Sequence, residues 1–249
     1  MLFRGDLYNE QVGISQDSHN FCVVVVKNQH IQTQWFQKEK TSLLDISVAL
    51  QDKKSNICKI QAISDRFIWR KYLFFPDHYS NAMIYHQIIA LLKKELPIPL
   101  EDIYFDYQIM LQQSENVFRV LVYALRKSDS ILMNDSKSVV LDSEYYCYQR
   151  GIHYLAEFPL EESCREQGYF FKDRILQFKQ TEFCQTPIAK ASQITHCKRV
   201  LTLEKMQNLE EIEGSEIVEV TLSENQQIVD PYLYVIALGA SLWNGKGLI

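Results

Sequence analysis

Short runs rich in β-branched and aromatic residues alternate with a few amphipathic patterns along this chain of 249 residues. The run FCVVVV at 21–26 is apolar and unbroken, which is typical of a buried strand. VFRVLVYALR at 117–126 is apolar on both faces, so we expect it to be the central strand of a sheet. SNAMIYHQIIALLKKEL at 80–96 has helical spacing, with Ser80 as a possible cap and Pro97 as its stop. Alternating strands and helices predict an α/β fold.

Further patterns extend this alternation toward the end of the chain. A strand, turn and helix are predicted for 138–155, and a hairpin with a polar turn is predicted for 168–183. The pattern at 41–52 is mixed and favours a short helix that starts near Ser42. Helices are also expected at 204–212 and at 230–243. The last of these opens with Asp230 as its cap and Pro231 at the first helical position.

Composition and charge exclude several classes of protein. Hydrophobic residues make up 47% of the chain, which is enough to bury a core, so disorder is not expected. The net charge is −5 and no strongly basic segment is present, which argues against direct nucleic-acid binding. No stretch approaches the roughly 20 apolar residues that span a bilayer, and the first residues lack an apolar signal core. We therefore expect neither membrane insertion nor export of this chain.

Cysteine spacing gives no metal motif. The chain has six cysteines without a CxxC pair, and His196 and Cys197 are the only adjacent His/Cys pair. A zinc site needs a second such pair, so we expect no metal and interpret the cysteines as reduced thiols in a cytoplasmic core.

Glycine is scarce, which bears directly on phosphate binding. The chain has eight glycines, none of them adjacent and none between Gly13 and Gly151. A phosphate-binding loop needs glycines so that backbone N–H groups can approach the anion. The turn before FCVVVV offers only Gly13, followed by Ser15, Asp17 and Ser18, and the Asp17 carboxylate would repel a phosphate. We therefore favour an ordinary polar hairpin turn and expect no cofactor there.

The remaining candidates for catalysis each have a simpler structural interpretation. Asp106 lies in a predicted strand, where an acid at the strand edge is a simpler interpretation than a catalyst. Asp142 follows a strand, where sites of α/β proteins collect, but Asp142 or Ser143 also lies at a predicted helix start, and we favour a helix cap. His153 fits a core or rim position, and no GxSxG motif is present.

The aromatic stretch RFIWRKYLFF at 66–75 is the best candidate for a binding surface. Tryptophan and arginine are typical anchors of interfaces, although a strand buried on both faces would show the same composition. The candidate partner-binding residues are Phe67, Trp69, Arg70, Tyr72 and Phe74.

The same region carries a family resemblance. AISDRFIWRKYLFFP followed by a helix and LPIPLEDIYFDYQI resembles the PilM-type proteins of type IV pilus assembly. VVLDSEYYCYQRGIHYL and the terminal YLYVIALGASLW are similar to further motifs of that family, and the short, degenerate pattern is similar to the competence protein ComA branch. The matching residues are Arg70, Lys71, Pro76, Pro97, Pro99, Leu100, Glu101, Asp106 and Tyr107.

The resemblance implies a fold and its division. We expect an α/β, actin-like (ribonuclease H-like, similar to FtsA) two-lobed fold with an α/β insert subdomain and a reduced second lobe. Residues 1–65, 133–167 and 230–249 would form the first core subdomain, residues 66–132 the insert, and residues 168–229 the second lobe.

The resemblance also implies a function, although the chain departs from the family in its nucleotide loops. The family carries DIGSSSVK where this chain has Gly13, Ser15, Asp17 and Ser18, and neither a second phosphate loop at 168–176 nor a Gly-Gly turn is present. We therefore expect no enzyme, but a cytoplasmic scaffold of a competence machine for DNA uptake.

Its partner would be the N-terminal tail of a PilN-like or ComB-like inner-membrane protein, held in a groove between core and insert. The chain would then sit peripherally at the inner membrane, together with other pilus or competence assembly proteins. Two alternatives stay open. The first is a nucleotide switch that binds ATP with Mg²⁺. The second is a relic of a small-molecule kinase of the same superfamily, with Asp17 or Asp142 as its acid.

Overall fold

The computed structural model divides the chain into two compact units, residues 1–62 with 136–249 and residues 63–135. The predicted insert, 66–132, lies within the second unit, which extends three residues further at each end. The structure describes residues 10–27, 30–42, 45–46, 57–112, 116–129, 139–158, 166–179, 182–194, 197–203, 212, 214–222 and 227–243.

The first unit contains a five-stranded sheet built around the FCVVVV run. Its strands, in chain order, are β1 (Glu10–Gln16), β2 (Asn20–Lys27), β3 (His30–Gln37), β4 (Ile57–Ile63) and β8 (Val139–Ser143), arranged β3-β2-β1-β4-β8. β2 pairs antiparallel with β1 and with β3, and β1 pairs parallel with β4. The predicted strand at 21–26 is confirmed, and Cys22 and Val24 on one of its faces are fully buried.

A second five-stranded sheet follows along the chain in the same unit. Its strands are β9 (Gln167–Phe171), β10 (Arg174–Lys179), β11 (Glu182–Pro187), β12 (Arg199–Thr202) and β13 (Glu216–Glu219), arranged β11-β10-β9-β12-β13. The predicted hairpin is confirmed, because β9 and β10 pair antiparallel around a turn at Lys172, which has a positive φ of 58°.

Two helices pack together in this unit. α2 (Glu144–Leu155) follows β8 without an intervening turn, and α3 (Pro231–Ser241) packs against α2, β1 and β2. The predicted cap of α3 is confirmed, because the Asp230 carboxylate accepts the Leu233 N–H at 2.9 Å. The helices meet at Gly239, where a β-carbon would fall 1.7 Å from the Cys147 carbonyl oxygen, so no larger residue fits this crossing.

In its described residues, the second unit contains a three-stranded sheet and one α-helix, and we call this unit the insert. Its strands are β5 (Trp69–Pro76), β6 (Ile103–Gln112) and β7 (Val117–Arg126), arranged β5-β7-β6, and its helix is α1 (Asn81–Glu95). The central position of β7 confirms the prediction from its two apolar faces. α1 begins after the Ser80 cap and buries Ile84, Ile88 and Leu92 against the sheet.

Some predicted elements differ from the structure or lie outside the described residues. β5 begins at Trp69 because a 3-10 turn occupies Asp65–Phe67, so Phe67 does not belong to the strand. The predicted helix at 204–212 lies almost wholly outside the described residues, as does much of the predicted helix at 41–52.

None of the described helices is long and apolar enough to cross a membrane. Five cysteines lie in the described part of the chain and all are free thiols. Cys184 is exposed, whereas Cys22, Cys58, Cys147 and Cys197 are buried.

Candidate functional site

The turn between β1 and β2 uses its own carboxylate to satisfy its backbone amides. Asp17 Oδ1 accepts the N–H groups of His19 at 2.6 Å and Asn20 at 2.7 Å, and the Asp17 N–H donates to the Asn20 carbonyl. Ser18 is exposed in this turn. The Asp17 carboxylate therefore already accepts hydrogen bonds from the backbone amides that a phosphate would need.

Gly13 and Ser15 lie in β1, under the terminal helix. A β-carbon on Gly13 would fall 1.9 Å from the carbonyl oxygen of Ala237 and 2.4 Å from the backbone nitrogen of Ser241. Ser15 Oγ donates a 2.6 Å hydrogen bond to the Leu233 carbonyl and is 1% exposed. The glycine and the hydroxyl of this segment therefore hold α3 against the sheet.

Asp142 forms a buried ion pair instead of capping α2. Its Oδ2 accepts from Arg150 Nη2 at 2.5 Å and its Oδ1 accepts the Ser143 N–H, while Ser143 Oγ caps the helix by accepting the Tyr145 N–H. Arg150 is 2% exposed and also donates from Nε to the Gly239 carbonyl at 2.8 Å. Burial lowers the pKa of Arg150, but the interactions with Asp142 and Cys147 together raise that pKa above its usual value. The pair thus links β8, α2 and α3.

His153 lies in a buried polar network between α2 and β9. Its Nδ1 is 3.3 Å from the Phe158 carbonyl oxygen and its Nε2 is 2.7 Å from the Tyr169 hydroxyl, which also accepts from Gln149 Nε2 at 3.1 Å. Because a carbonyl only accepts, we assign the proton to Nδ1, which leaves Nε2 as an acceptor. The single proton of the Tyr169 hydroxyl is shared between two acceptors, His153 Nε2 and Gln167 Oε1, the second at 3.2 Å. Burial lowers the pKa of His153, which favours the neutral ring. The sequence predicted a core or rim position for His153, and its exposed fraction of 1% shows that it lies in the core.

Cations and aromatic rings meet on the face of the insert sheet opposite α1. Arg70 and Tyr72 of β5 alternate with residues that face the helix, and β7 contributes Arg119 and Tyr123. The guanidinium carbon of Arg119 is 4.1 Å from the ring centre of Tyr72. That of Arg70 is 5.7 Å from the ring centre of Tyr123, and Arg70 also pairs with Asp65.

Phe74 completes this surface, because it is opposite Arg119 in the register and is 58% exposed. We call Arg70, Tyr72, Phe74, Arg119 and Tyr123 the arginine–tyrosine face. Contacts of this kind attract a guanidinium group to the face of an aromatic ring. Here they lie next to a large exposed apolar side chain, Phe74.

The five predicted partner-binding residues do not form one surface within the insert. Arg70, Tyr72 and Phe74 lie together on the arginine–tyrosine face, whereas Trp69 packs half-buried into the core under α1. Phe67 is 42% exposed in its 3-10 turn, with the Arg66 guanidinium over its ring. Sequence reasoning missed Arg119 and Tyr123, because their position beside Tyr72 follows only from the pairing of β5 with β7.

Asp106 is exposed on β6, an edge strand of the insert sheet, as predicted. Among the residues that the structure describes, no three His, Cys, Asp or Glu side chains come together in a way that could hold a metal ion.

Comparison with known proteins gives structural likeness without sequence likeness. No protein-family model matches the sequence, and no curated protein matches it. A solved chain of the PilM–PilN type IV pilus biogenesis complex superimposes with a TM-score of 0.58 at 12% identity, covering 96% of this chain and 100% of that one.

Two further solved structures are similar. The cytoplasmic domain of EpsL, an inner-membrane component of the type II secretion system of Vibrio cholerae, gives a TM-score of 0.50 at 10% identity and covers 95% of this chain and 98% of that chain. A Bacteroides thetaiotaomicron protein with an actin-like ATPase fold is more distant, with a TM-score of 0.41 at 12% identity, covering 85% of this chain and 88% of that one. The predicted α/β, actin-like fold is confirmed, and the chain has a PilM-like fold at low sequence identity.

Proposed function

We propose that this chain is a non-catalytic scaffold that binds the N-terminal cytoplasmic tail of a PilN-like or ComB-like inner-membrane protein. It would serve a type IV pilus-like competence machine for DNA uptake, together with other assembly proteins. The observation that carries this proposal is the likeness to a chain of the PilM–PilN complex over 96% of the present sequence. In this role the protein is cytoplasmic and reaches the inner membrane through its partner.

The arginine–tyrosine face supplies suitable chemistry for such a tail. An extended peptide gains affinity from exposed aromatic anchors and from flat guanidinium groups, which stack on rings and bind backbone carbonyls or carboxylates. Phe74 offers the anchor, because 58% of its surface is exposed beside Arg119. The tail is therefore expected to carry apolar side chains next to an acidic group or a free carbonyl.

The contacts of the β1–β2 hairpin support a function without nucleotide. The Asp17 carboxylate takes the turn amides, and α3 lies against Gly13, where the phosphate of a bound nucleotide would need an open backbone. Catalysis by Asp142 would need a free carboxylate, but this group is paired with buried Arg150.

The test is a pair of titrations on the full chain. The first uses a fluorescent peptide with the N-terminal cytoplasmic sequence of a PilN-like single-span inner-membrane protein from the same organism, with the scrambled peptide as control. The second uses ATP with Mg²⁺ in a calorimeter. We expect micromolar binding of the native peptide alone. Micromolar ATP binding without peptide binding would contradict the proposal and favour the nucleotide switch.

A further inference from the structure

A cavity of about 370 Å³ lies in the first unit, at the open end of the β2–β3 hairpin. Its walls come from three parts of the chain. These are the start of β2, the end of β3 with the turn that follows it, and the residue before the cap of α3. Pockets that bind small molecules have volumes of about 300–1,000 Å³, so this cavity is large enough for a small ligand.

Strand pairing and a tight turn bring the lining residues together. In the register of β2 with β3, Asn20 is opposite Gln37, and Trp35 is two residues before Gln37, so all three lie on one face of the sheet. The chain reverses directly after β3, because the N–H groups of Lys40 and Thr41 both donate to the Gln37 carbonyl at 3.0 Å. Lys40 and Thr41 therefore lie beside the strand ends and complete this side of the cavity.

Trp35 carries the observation that points to a ligand. It lines the cavity, and its half-buried ring packs against the main core of the first unit. Its Nε1 is buried, yet it makes no hydrogen bond to any residue that the structure describes. A buried N–H of this kind is unfavourable, because it has lost its hydrogen bonds to water without gaining an acceptor. An acceptor that enters the cavity and reaches Nε1 would satisfy it.

The other polar groups of the cavity favour a carboxylate as that acceptor. Among the described lining residues no side chain is acidic, whereas Lys40 contributes an ammonium group, Thr41 a hydroxyl, and Asn20 and Gln37 amide donors. Lys40 is exposed and forms no ion pair within the described part of the chain. A carboxylate in the cavity would therefore meet one positive charge and several neutral donors, and hydrogen bonds between charged groups are the stronger kind.

The remaining wall of the cavity is apolar. Val229, which is 55% exposed, lines it together with the aromatic residues Trp35 and Phe36. A flat aromatic body suits such a wall, because stacking against an indole ring buries a large apolar area. The cavity thus combines a surface for aromatic rings with donors for an acid group.

We propose that this cavity binds a small aromatic carboxylate, whose rings pack against Trp35 and Val229 and whose carboxylate accepts hydrogen bonds from Trp35 Nε1 and Lys40. Because Nε1 is shielded from water, the ligand must displace a flexible lining side chain to reach it, and Gln37 is long and exposed. The site lies in the first unit and uses no residue of the arginine–tyrosine face, so it does not depend on the proposed binding of a tail.

Nuclear magnetic resonance of the isotope-labelled full chain tests the proposal. The probe is naphthylacetate, and its control is naphthylacetamide, which has the same shape without the charge. The signal of the Trp35 indole N–H is identified as the one that disappears in Trp35→Phe. We expect naphthylacetate to move this signal downfield, with a dissociation constant about tenfold below that of naphthylacetamide. A signal that does not move at about 10 mM naphthylacetate overturns the proposal, as does equal affinity for the two probes.

A substitution of Lys40 tests the charge separately. Lys40→Met keeps a long side chain at an exposed position, so the fold is retained while the ammonium group is lost. It should weaken naphthylacetate about tenfold and leave naphthylacetamide unchanged, so that both probes bind alike. The matched control is Lys94→Met, because Lys94 is an exposed lysine of α1 in the insert, and it should change neither affinity. A preference for naphthylacetate that persists in Lys40→Met overturns the assignment of the carboxylate to this cavity.

Discussion

The backbone of Gly13 in β1 packs directly against the carbonyl oxygen of Ala237 in α3. The approach is so close that a β-carbon at Gly13 would fall 1.9 Å from that oxygen. A glycine at this point of the sequence suggests a phosphate-binding loop. Here, however, Gly13 allows α3 to pack closely against β1. The contact joins segments more than 200 residues apart, as does the 2.6 Å bond from Ser15 to Leu233. β1 and α3 are thus held together although they lie far apart in the sequence.

Replacing Gly13 by alanine is therefore expected to destabilise the protein. The added methyl group meets backbone atoms that cannot rotate away, so we expect Gly13→Ala to lower the free energy of unfolding by about 3 kcal/mol. Urea denaturation measures the change. Gly168→Ala is the control, because its β-carbon would meet the side chains of Cys197, Ile175 and Val200 at 3.0–3.3 Å, and it should cost less. Equal stabilities of the two variants would contradict the packing role.

Asp142 is expected to act through stability. Asp142→Ala leaves the charge of Arg150 buried without its carboxylate, so the free energy of unfolding should fall by about 3–5 kcal/mol. The control is Asp173→Ala, because Asp173 pairs with Arg174 while its side chain is 70% exposed, and such a pair contributes about 1 kcal/mol or less. Chemical denaturation compares the two variants. A stable Asp142→Ala protein would make a functional role for this carboxylate the better interpretation.

His153 is expected to make the protein sensitive to mild acid. Burial lowers the pKa of His153 in the folded state below its unfolded value of about 6.5. The unfolded chain therefore binds the proton more readily, and stability is full above this pH and falls as the pH drops below it. Denaturation between pH 8 and pH 5 measures how the free energy of unfolding changes with pH. His153→Gln should reduce this pH dependence. An unchanged pH dependence would show that other titrating groups cause it.

Phe74 is expected to contribute to binding of the partner tail and not to folding. Phe74→Ser removes a ring that is 58% exposed, so the unfolding transition should hardly move while the peptide dissociation constant rises about tenfold or more. Fluorescence anisotropy with the tail peptide measures the loss. Tyr154→Ser is the matched control, because Tyr154 is an exposed aromatic residue of α2, outside the insert. If Phe74→Ser and Tyr154→Ser bind the tail peptide with equal affinity, the arginine–tyrosine face is not the binding surface.

Trp69 should behave in the opposite way. It packs half-buried into the core of the insert, so Trp69→Ala is expected to lower the free energy of unfolding by about 2–3 kcal/mol. Loss of tail binding with an unchanged, cooperative thermal melt would show instead that Trp69 contacts the tail.

Elements that depend on neighbouring residues could be predicted from the sequence. The helix α1 was predicted from its spacing and from Ser80, and α3 from Asp230 and Pro231, because caps act within a single turn. The central position of β7 followed from its two apolar faces.

Features that depend on distant pairing could not be predicted. Arg119 joins Tyr72 only because β5 and β7 pair in one particular register, and a shift of one residue would put it on the other face. In the same way, Asp142 was expected to cap α2, but Ser143 caps that helix. Asp142 pairs instead with Arg150, which comes from two helical turns further along and also bonds to Gly239 of α3.

The distribution of the thiols determines how the protein responds to chemical labelling. Burial raises the pKa of Cys58 to about 11 and also raises those of Cys22, Cys147 and Cys197, so these four remain protonated and shielded from maleimides. Cys184 is exposed on β11, an edge strand of the second sheet. Among the described cysteines it is therefore the natural attachment point for a fluorophore or spin label, which would report on the surroundings of that edge without disturbing the core.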